Sequence, residues 1–330
     1  MTQYIAKRVI YMFLTSIGIL MVGFIIIQLP PGDYVSSYVA SLKATGRRIP
    51  VEQIKALRHQ FGLDLPVYVQ FFVWISKLFQ GNLGMSLAWG RPIVDIIGER
   101  IGYTLLISSF ATFLTYAIAI PIGIYSATHQ YSVADYTFTA ISFTAMSIPG
   151  FLFALITMVL LFKYFGISMG GVFSPQYMRE SFSINKLIDL LKHMIAPSII
   201  IGLGSTGGTI RVMRATLLDE LKKNYVVTAR AKGLSEAKLL FKYPVRVAIN
   251  PIVSTIGWTL PYLFSGSAIV AIVLNLPTIE PLYYSALLSQ DMYLAGDCLA
   301  IIGILTIIGT FISDILLMLV DPRVRFEKGY

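Results

Sequence analysis

Charge, cysteine and histidine are all scarce in this 330-residue chain, and each scarcity excludes something. Charged residues make up 13% of the sequence against 56% hydrophobic, with a mean hydropathy of +0.73. That balance is too apolar for a soluble domain and predicts a polytopic membrane protein. The single cysteine, Cys298, rules out an internal disulfide and falls in an apolar run, where it reads as a small packing residue. His59, His129 and His193 are scattered without metal-ligand spacing, so no metal site is expected from this chain alone. A phosphate-binding G-x-x-x-x-G-K-[ST] loop is missing too, as are a catalytic carboxylate pair and a Ser/His/Asp arrangement. The chain is therefore not expected to be an enzyme or to bind a cofactor itself.

What is present is a series of uncharged runs divided by short polar links. Lys7 and Arg8 precede a run from Val9 to Leu29, which at about 1.5 Å per residue is enough to span a hydrocarbon core of about 30 Å. It is too long for the apolar region of a secretory signal, and no A-x-A site follows it, so it reads as a retained first span. Pro30, Pro31 and Gly32 stop it. In the mixed-polarity stretch that follows, Pro50 to Phe61 carries Ile54, Leu57 and Phe61 on one helical face before Gly62. Pro66 to Phe79 carries Val69, Phe72 and Ile75 before Gly81. Two amphipathic helices on the outer membrane surface are predicted here.

Further spans are expected over Ile101–Thr128, with a kink near Pro121 and Gly123, and over Tyr136–Phe162, interrupted at Pro149-Gly150. Gly166 to Lys192 reads as an external polar segment, followed by a fourth span from Met194 to Ile210 whose glycines 202, 204, 207 and 208 permit close helix packing. A fifth span lies between Val247 and Leu274, bent at Pro251 and Pro261. An external link to Asp297 and a sixth span from Cys298 to Val320 complete the series. Asp314, the one acid expected inside the sixth span, suits a structural hydrogen bond near its cytoplasmic end as well as a functional role.

The net charge of +9 fits this topology rather than a nucleic-acid partner. Residues 211–246 hold nine Lys or Arg against three acids, and Arg323, Arg325 and Lys328 follow the last span. Both belong in the cytoplasm by the positive-inside rule. The expected organisation is 1–29, cytoplasmic N-terminus and first span; 30–100, external amphipathic segment; 101–320, the helical core with a cytoplasmic segment at 222–240; and 321–330, a cytoplasmic tail.

Within the cytoplasmic segment, Asn224 to Glu236 is a small, basic, water-compatible patch. Ala229, Ala231 and Gly233 are closely spaced small residues beside Arg230 and Lys232, as suits a short helix laid into a partner's groove. Gly233 should end that helix, and Ser235 is a candidate N-cap for the next. The competing reading is an ordinary cytoplasmic loop.

Thr228-Ala-Arg-Ala-Lys-Gly-Leu234 resembles the coupling-loop signature of the membrane subunits of binding-protein-dependent ABC importers, in the form found in the dipeptide/oligopeptide/nickel branch. The resemblance extends along the chain through Pro31-Gly-Asp33, Phe61-Gly-Leu-Asp64, Gly81-Asn-Leu-Gly84, Gly90-Arg-Pro92, Asn250-Pro251 and Asp321-Pro-Arg323. Val227 departs from it, standing where the general pattern has Glu. The chain is similar to the first of the two permease subunits of a peptide-type importer.

This resemblance implies an all-α membrane protein with six transmembrane helices in the type I ABC importer permease fold, in the cell membrane with both termini cytoplasmic. It implies a second homologous permease subunit, two ATPase subunits that bind ATP and Mg, and an external solute-binding protein. Thr228, Ala229, Arg230, Ala231, Lys232, Gly233, Leu234 and Glu236 would form the contact to the ATPase. Arg230, Lys232 and Glu236 would orient it by charge pairing. Ser142, Thr144 and Ser147 on the third span and Thr255, Thr259 and Tyr262 on the fifth are candidates for the translocation pathway. Their competing role is bonding to their own helix backbone. Cargo is expected to be peptide, with oligosaccharide or nickel as alternatives in the same branch. An ion-coupled secondary transporter would need buried acids and internal duplication that the sequence does not offer.

Overall fold

The computed structural model describes residues 2–44, 50–167, 169–178, 180–181, 183–255 and 268–320, with the backbone alone at 2–7, 41 and 317–320. Among the described residues the regular structure is helical, apart from one isolated bridge between Met85 and Pro92. Two compact units form, Met1–Thr104 with Pro277–Ile307 and Leu105–Leu276 with Ile308–Tyr330.

The first unit opens with α1 (Thr2–Gln28), α2 (Tyr34–Ala44), α3 (Val51–Gln60) and α4 (Val67–Phe79). Asp33 starts α2 by accepting the Ser36 amide at 2.7 Å and the Ser36 hydroxyl at 2.6 Å, a side-chain cap for an otherwise orphaned donor. Arg58 of α3 then reaches Asp33 at 3.2 Å. Pro50 and Pro66 hold the positions just before α3 and α4, where their fixed φ helps helix initiation and a missing N–H costs nothing. The two predicted amphipathic helices are thus present, but the face of α4 is corrected. Phe72 is 66% exposed, while Gln70 and Trp74 are buried. Trp74 stacks on Phe24 of α1 with ring centroids 5.6 Å apart. It turns inward because its indole N–H finds an acceptor there, as described below.

The unit continues with the start of α5 (Ile93–Thr128), then α13 (Ile279–Leu288) and the first half of α14 (Met292–Val320). Its main core joins Ile93, Ile96 and Ile97 to Ile279, Leu282, Leu294 and Cys298. Cys298 is fully buried, the packing residue its apolar surroundings predict.

The second unit contains the rest of α5, then α6 (Val133–Ser147), α7 (Gly150–Phe165), α8 (Ile184–Leu221), α9 (Asn224–Ala231), α10 (Glu236–Lys242), α11 (Pro244–Ala248) and α12 (Ala268–Val273). Residues 250–255 are also helical. Gly202 and Gly207 of α8 face close neighbours. A Cβ on Gly202 would lie 2.6 Å from Thr115 Oγ1, and one on Gly207 would lie 2.6 Å from the Ser142 carbonyl oxygen. Gly204 and Gly208 face open space.

Several predicted boundaries change. α6 and α7 meet at 105°, so the third run is not one straight span. Pro149 removes a backbone donor and drives Ile148 into an extended conformation, φ −87° and ψ 124°. The fourth run is only the middle of α8, because Ser183 caps the helix by accepting the Lys186 amide at 3.2 Å and the helix carries on through Arg211 and Arg214. The last third of the expected external segment, residues 184–192, is therefore helical. The last helix starts at Met292 rather than Cys298, since Asp297 is buried and hydrogen-bonded instead of lying in a loop. Among the described residues four helices are long and apolar enough to cross a membrane, or five if the bent pair is one span. The middle of the predicted fifth span, residues 256–267, lies outside the described residues.

Candidate coupling surface

Three short helices at the end of α8 make a small folded body. α8 stops at Leu221, and Tyr225 of α9 donates its hydroxyl to Glu220 at 2.5 Å, closing the corner between the two helices. Partial burial, with that bond second, pushes the Tyr225 pKa upward. On its inner face α9 buries Val226 and Ala229 against Leu239 of α10, with Leu234 and Tyr243 packed around them. α9 is only eight residues long, too short to persist alone in water, so this apolar seam is what holds it. Below it, Met213 and Leu217 of α8 share a core with Val245 and Ala248 of α11, and the Thr216 hydroxyl donates to the Ala248 carbonyl at 3.0 Å.

Gly233 ends the α9 turn at φ +76°, a left-handed conformation that a Cβ disfavours. Ser235 occupies the N-cap position of α10 but makes no side-chain cap bond. Across this turn Arg230 Nε reaches Glu236 Oε1 at 2.6 Å and its terminal nitrogen reaches Oε2 at 3.1 Å. The pairing lowers the Glu236 pKa and raises that of Arg230.

The sequence-derived coupling residues consequently divide into two sets. Ala229 points into the seam and Leu234 packs beside it. Thr228, Arg230, Ala231, Lys232, Gly233 and Glu236 are exposed, and Val227 joins them at 54% exposure. Arg230 and Glu236 satisfy each other within the chain, which leaves Lys232 as the cation of the motif without such a pairing in the described contacts.

Of the pathway candidates, Ser142 is buried and donates to the Phe138 carbonyl at 2.7 Å. Thr144 and Ser147 are exposed and donate to Ala140 and Phe143. Thr255 donates to Ile252. Each therefore bonds its own helix backbone. Thr259 and Tyr262 lie outside the described residues. A cavity of about 160 Å³ beside Ser142 is lined by Thr115, Ser198, Thr206 and surrounding apolar side chains.

The polar contacts that sequence reasoning did not foresee include three between residues far apart in the chain. Arg214 of α8 makes a two-pronged pair with Asp135 of α6, both contacts at 2.8 Å. In the first unit, Trp74 Nε1 donates to Asp297 at 2.8 Å and Ser86 donates to Asp291 at 2.6 Å. Their partners are separated by 79, 223 and 205 residues, and a single sequence carries no signal that joins them.

Comparison with known proteins identifies the family of the whole chain. Residues 1–108 match the N-terminal model of binding-protein-dependent transport system membrane components, and residues 119–326 match the model of the inner membrane component itself. The chain is 31% identical to the oligopeptide transport system permease protein AppB of Bacillus subtilis, covering 99% of this chain and 100% of AppB. It is 31% identical to a putative peptide permease protein of Brucella ovis, covering 98% of this chain and 99% of that protein. It is 27% identical to the peptidoglycan transport system permease protein YejB of Agrobacterium fabrum, covering 99% of each. Among solved structures, a chain of the MetNI methionine ABC transporter in inward facing conformations is alike in fold, with TM-score 0.53 and 17% identity over 68% of this chain and 96% of that one. The chain belongs to the family of inner membrane components of binding-protein-dependent transport systems.

Proposed function

We propose that this chain is one permease subunit of an ATP-driven importer that carries peptides handed over by an external solute-binding protein. The end-to-end relationship with an oligopeptide permease carries this reading. The prefolded hairpin of α9 and α10 supports the mechanism, because a small rigid body packed onto α8 can receive a push and pass it on without melting.

In this reading six spans place both termini in the cytoplasm, with residues 30–100 outside and the 321–330 tail inside. Two ATPase subunits bind ATP and Mg and dock beneath this chain and beneath a second, homologous permease subunit. The exposed side of the hairpin, Val227, Thr228, Ala231, Lys232 and Gly233, is the docking surface, with Arg230 and Glu236 shaping it. Small residues there allow close approach, and Lys232 supplies charge complementarity to an acidic groove. Ala229 and Leu234 act from behind, holding the helix in place. The pathway lies between the two permeases. Thr144 and Ser147 face outward from this chain toward it, and Ser142 and Thr255 contribute to its lining, joined by Thr259 and Tyr262.

Two measurements test the reading. Cells lacking the chain should lose ATP-dependent uptake of radiolabelled peptides and regain it with the intact gene; unchanged uptake overturns the function. A cysteine at position 231 should be labelled by a membrane-impermeant maleimide in inverted vesicles and not in intact cells. The reverse pattern overturns the topology.

A further inference from the structure

The pair between Asp135 and Arg214 lies outside the coupling motif, yet it is placed where force from that motif must pass. Arg214 is on α8, two helical turns before the helix ends and the chain enters α9. Asp135 is in the first turn of α6. Its side chain is only 2% exposed, and that of Arg214 is 26% exposed. The contact is two-pronged, from Nε to Oδ1 and from the terminal nitrogen to Oδ2, both at 2.8 Å, the geometry in which a guanidinium fixes direction as well as distance.

The carboxylate holds more than the arginine. Asp135 Oδ2 also accepts the Tyr131 amide at 3.0 Å, and the Asp135 amide donates to the Ser132 hydroxyl at 3.2 Å. Tyr131 has a positive φ of 66°, so the turn from α5 into α6 is held in an uncommon backbone shape by the same carboxylate that grips α8. One side chain thus ties together the end of α5, the start of α6 and the cytoplasmic part of α8. Further along the same helices, Gly207 lets α8 touch the α6 backbone at Ser142. Two separated contacts make α6 and α8 move together as a plate rather than pivot about a single point.

We infer that Asp135 and Arg214 are positioning residues that make the break between α6 and α7 follow the coupling hairpin, so that displacement of α9 is delivered to α6 instead of being absorbed at the α5–α6 turn. This inference rests on the proposed function. Its physical basis is that a charge pair withdrawn from water is costly to separate, since either partner left alone keeps an uncompensated charge. A hinge would need a weak contact at this place. The structure puts a strong one there.

The test uses the complex purified from native cells through a tag on this chain and reconstituted in liposomes with its binding protein. ATP hydrolysis and uptake of a radiolabelled tryptic casein digest are measured in the same vesicles. Asp135→Asn should keep ATP hydrolysis while uptake per ATP falls about tenfold, the range expected when a coupling contact is lost. Arg214→Lys keeps the charge without the two-pronged geometry and should give a smaller fall. The exchanged double variant Asp135→Arg with Arg214→Asp should recover part of the loss. A purely structural staple would lower assembly and hydrolysis together and leave the ratio alone. Should Asp135→Asn fail to assemble, Arg214→Lys decides: an unchanged ratio of uptake to hydrolysis in an assembled Arg214→Lys complex overturns the inference. Absence of ATP-driven uptake in the wild-type complex would instead overturn the proposed function beneath it.

Discussion

Arg230 and Glu236 hold each other across the Gly233 turn with contacts of 2.6 and 3.1 Å, so two of the three charged residues of the coupling motif are occupied within the chain. Sequence reading assigned them to a partner. Their internal pairing closes the α9–α10 hairpin across this turn.

The pH response of that closure follows from the direction of the shift. Arg230 holds the Glu236 carboxyl below its ordinary value of 4.5, so the contribution is fully present above the unfolded value and is lost as pH falls through the lower, folded one. Hydrogen exchange of residues 230–236, corrected for intrinsic rates, should stay constant from neutrality to pH 4.5 and rise below it. Glu236→Gln should show the faster exchange already at neutral pH. Because the pair is exposed, the melting temperature should hardly move.

Gly233 offers a sharper test of conformation against space. A Cβ there meets nothing within 4 Å, yet φ is +76°, so any penalty comes from the backbone alone, about 1–2 kcal/mol for an ordinary residue. Gly233→Asn should be tolerated best, Gly233→Ala less well, and Gly233→Val worst, because β-branching adds to the strain. Uptake per ATP should fall in that order while assembly is retained. Equal activity of all three would show that the turn has no influence on coupling.

The readable parts of this fold are those with local punctuation. Proline at 50 and 66 and glycine at 62 and 81 bracket α3 and α4 so tightly that both helices are visible in the sequence. α2 was not, because its start depends on one aspartate accepting from Ser36 rather than on an apolar period. At Pro149 the interruption was legible but its 105° angle was not, since proline dictates a break and neighbouring helices choose the direction. The same limit appears at the site. Arg230 and Glu236 are six residues apart and visible together, but only the turn geometry tells which partner each one takes. For Asp135 and Arg214, separated by 79 residues, tertiary packing alone creates the contact.

Glycines within α8 should separate by what they face. Gly207→Ala would place a methyl group 2.6 Å from the Ser142 carbonyl oxygen, a backbone atom that cannot swing aside, and should destabilise the protein by about 1–3 kcal/mol. Gly204→Ala meets nothing within 4 Å and should be neutral or stabilising by up to about 1 kcal/mol through helix propensity. Thermal unfolding in detergent, followed by fluorescence, gives both values. Equal melting temperatures would deny the close contact of α6 and α8.

Trp74 provides the corresponding test in the first unit. Its ring stacks on Phe24 and its N–H meets Asp297, whose other oxygen has no hydrogen-bond partner among the described residues. Trp74→Phe keeps much of the apolar contact but removes the donor, leaving the buried carboxyl without the hydrogen bond that offsets its burial. The expected loss is about 1–3 kcal/mol from the unsatisfied acceptor. Adding Asp297→Leu to Trp74→Phe removes the stranded acceptor along with its donor, so the double variant should melt above Trp74→Phe alone. If the second substitution lowers stability further, the hydrogen bond is not what fixes α4 against α14, and aromatic stacking carries that junction.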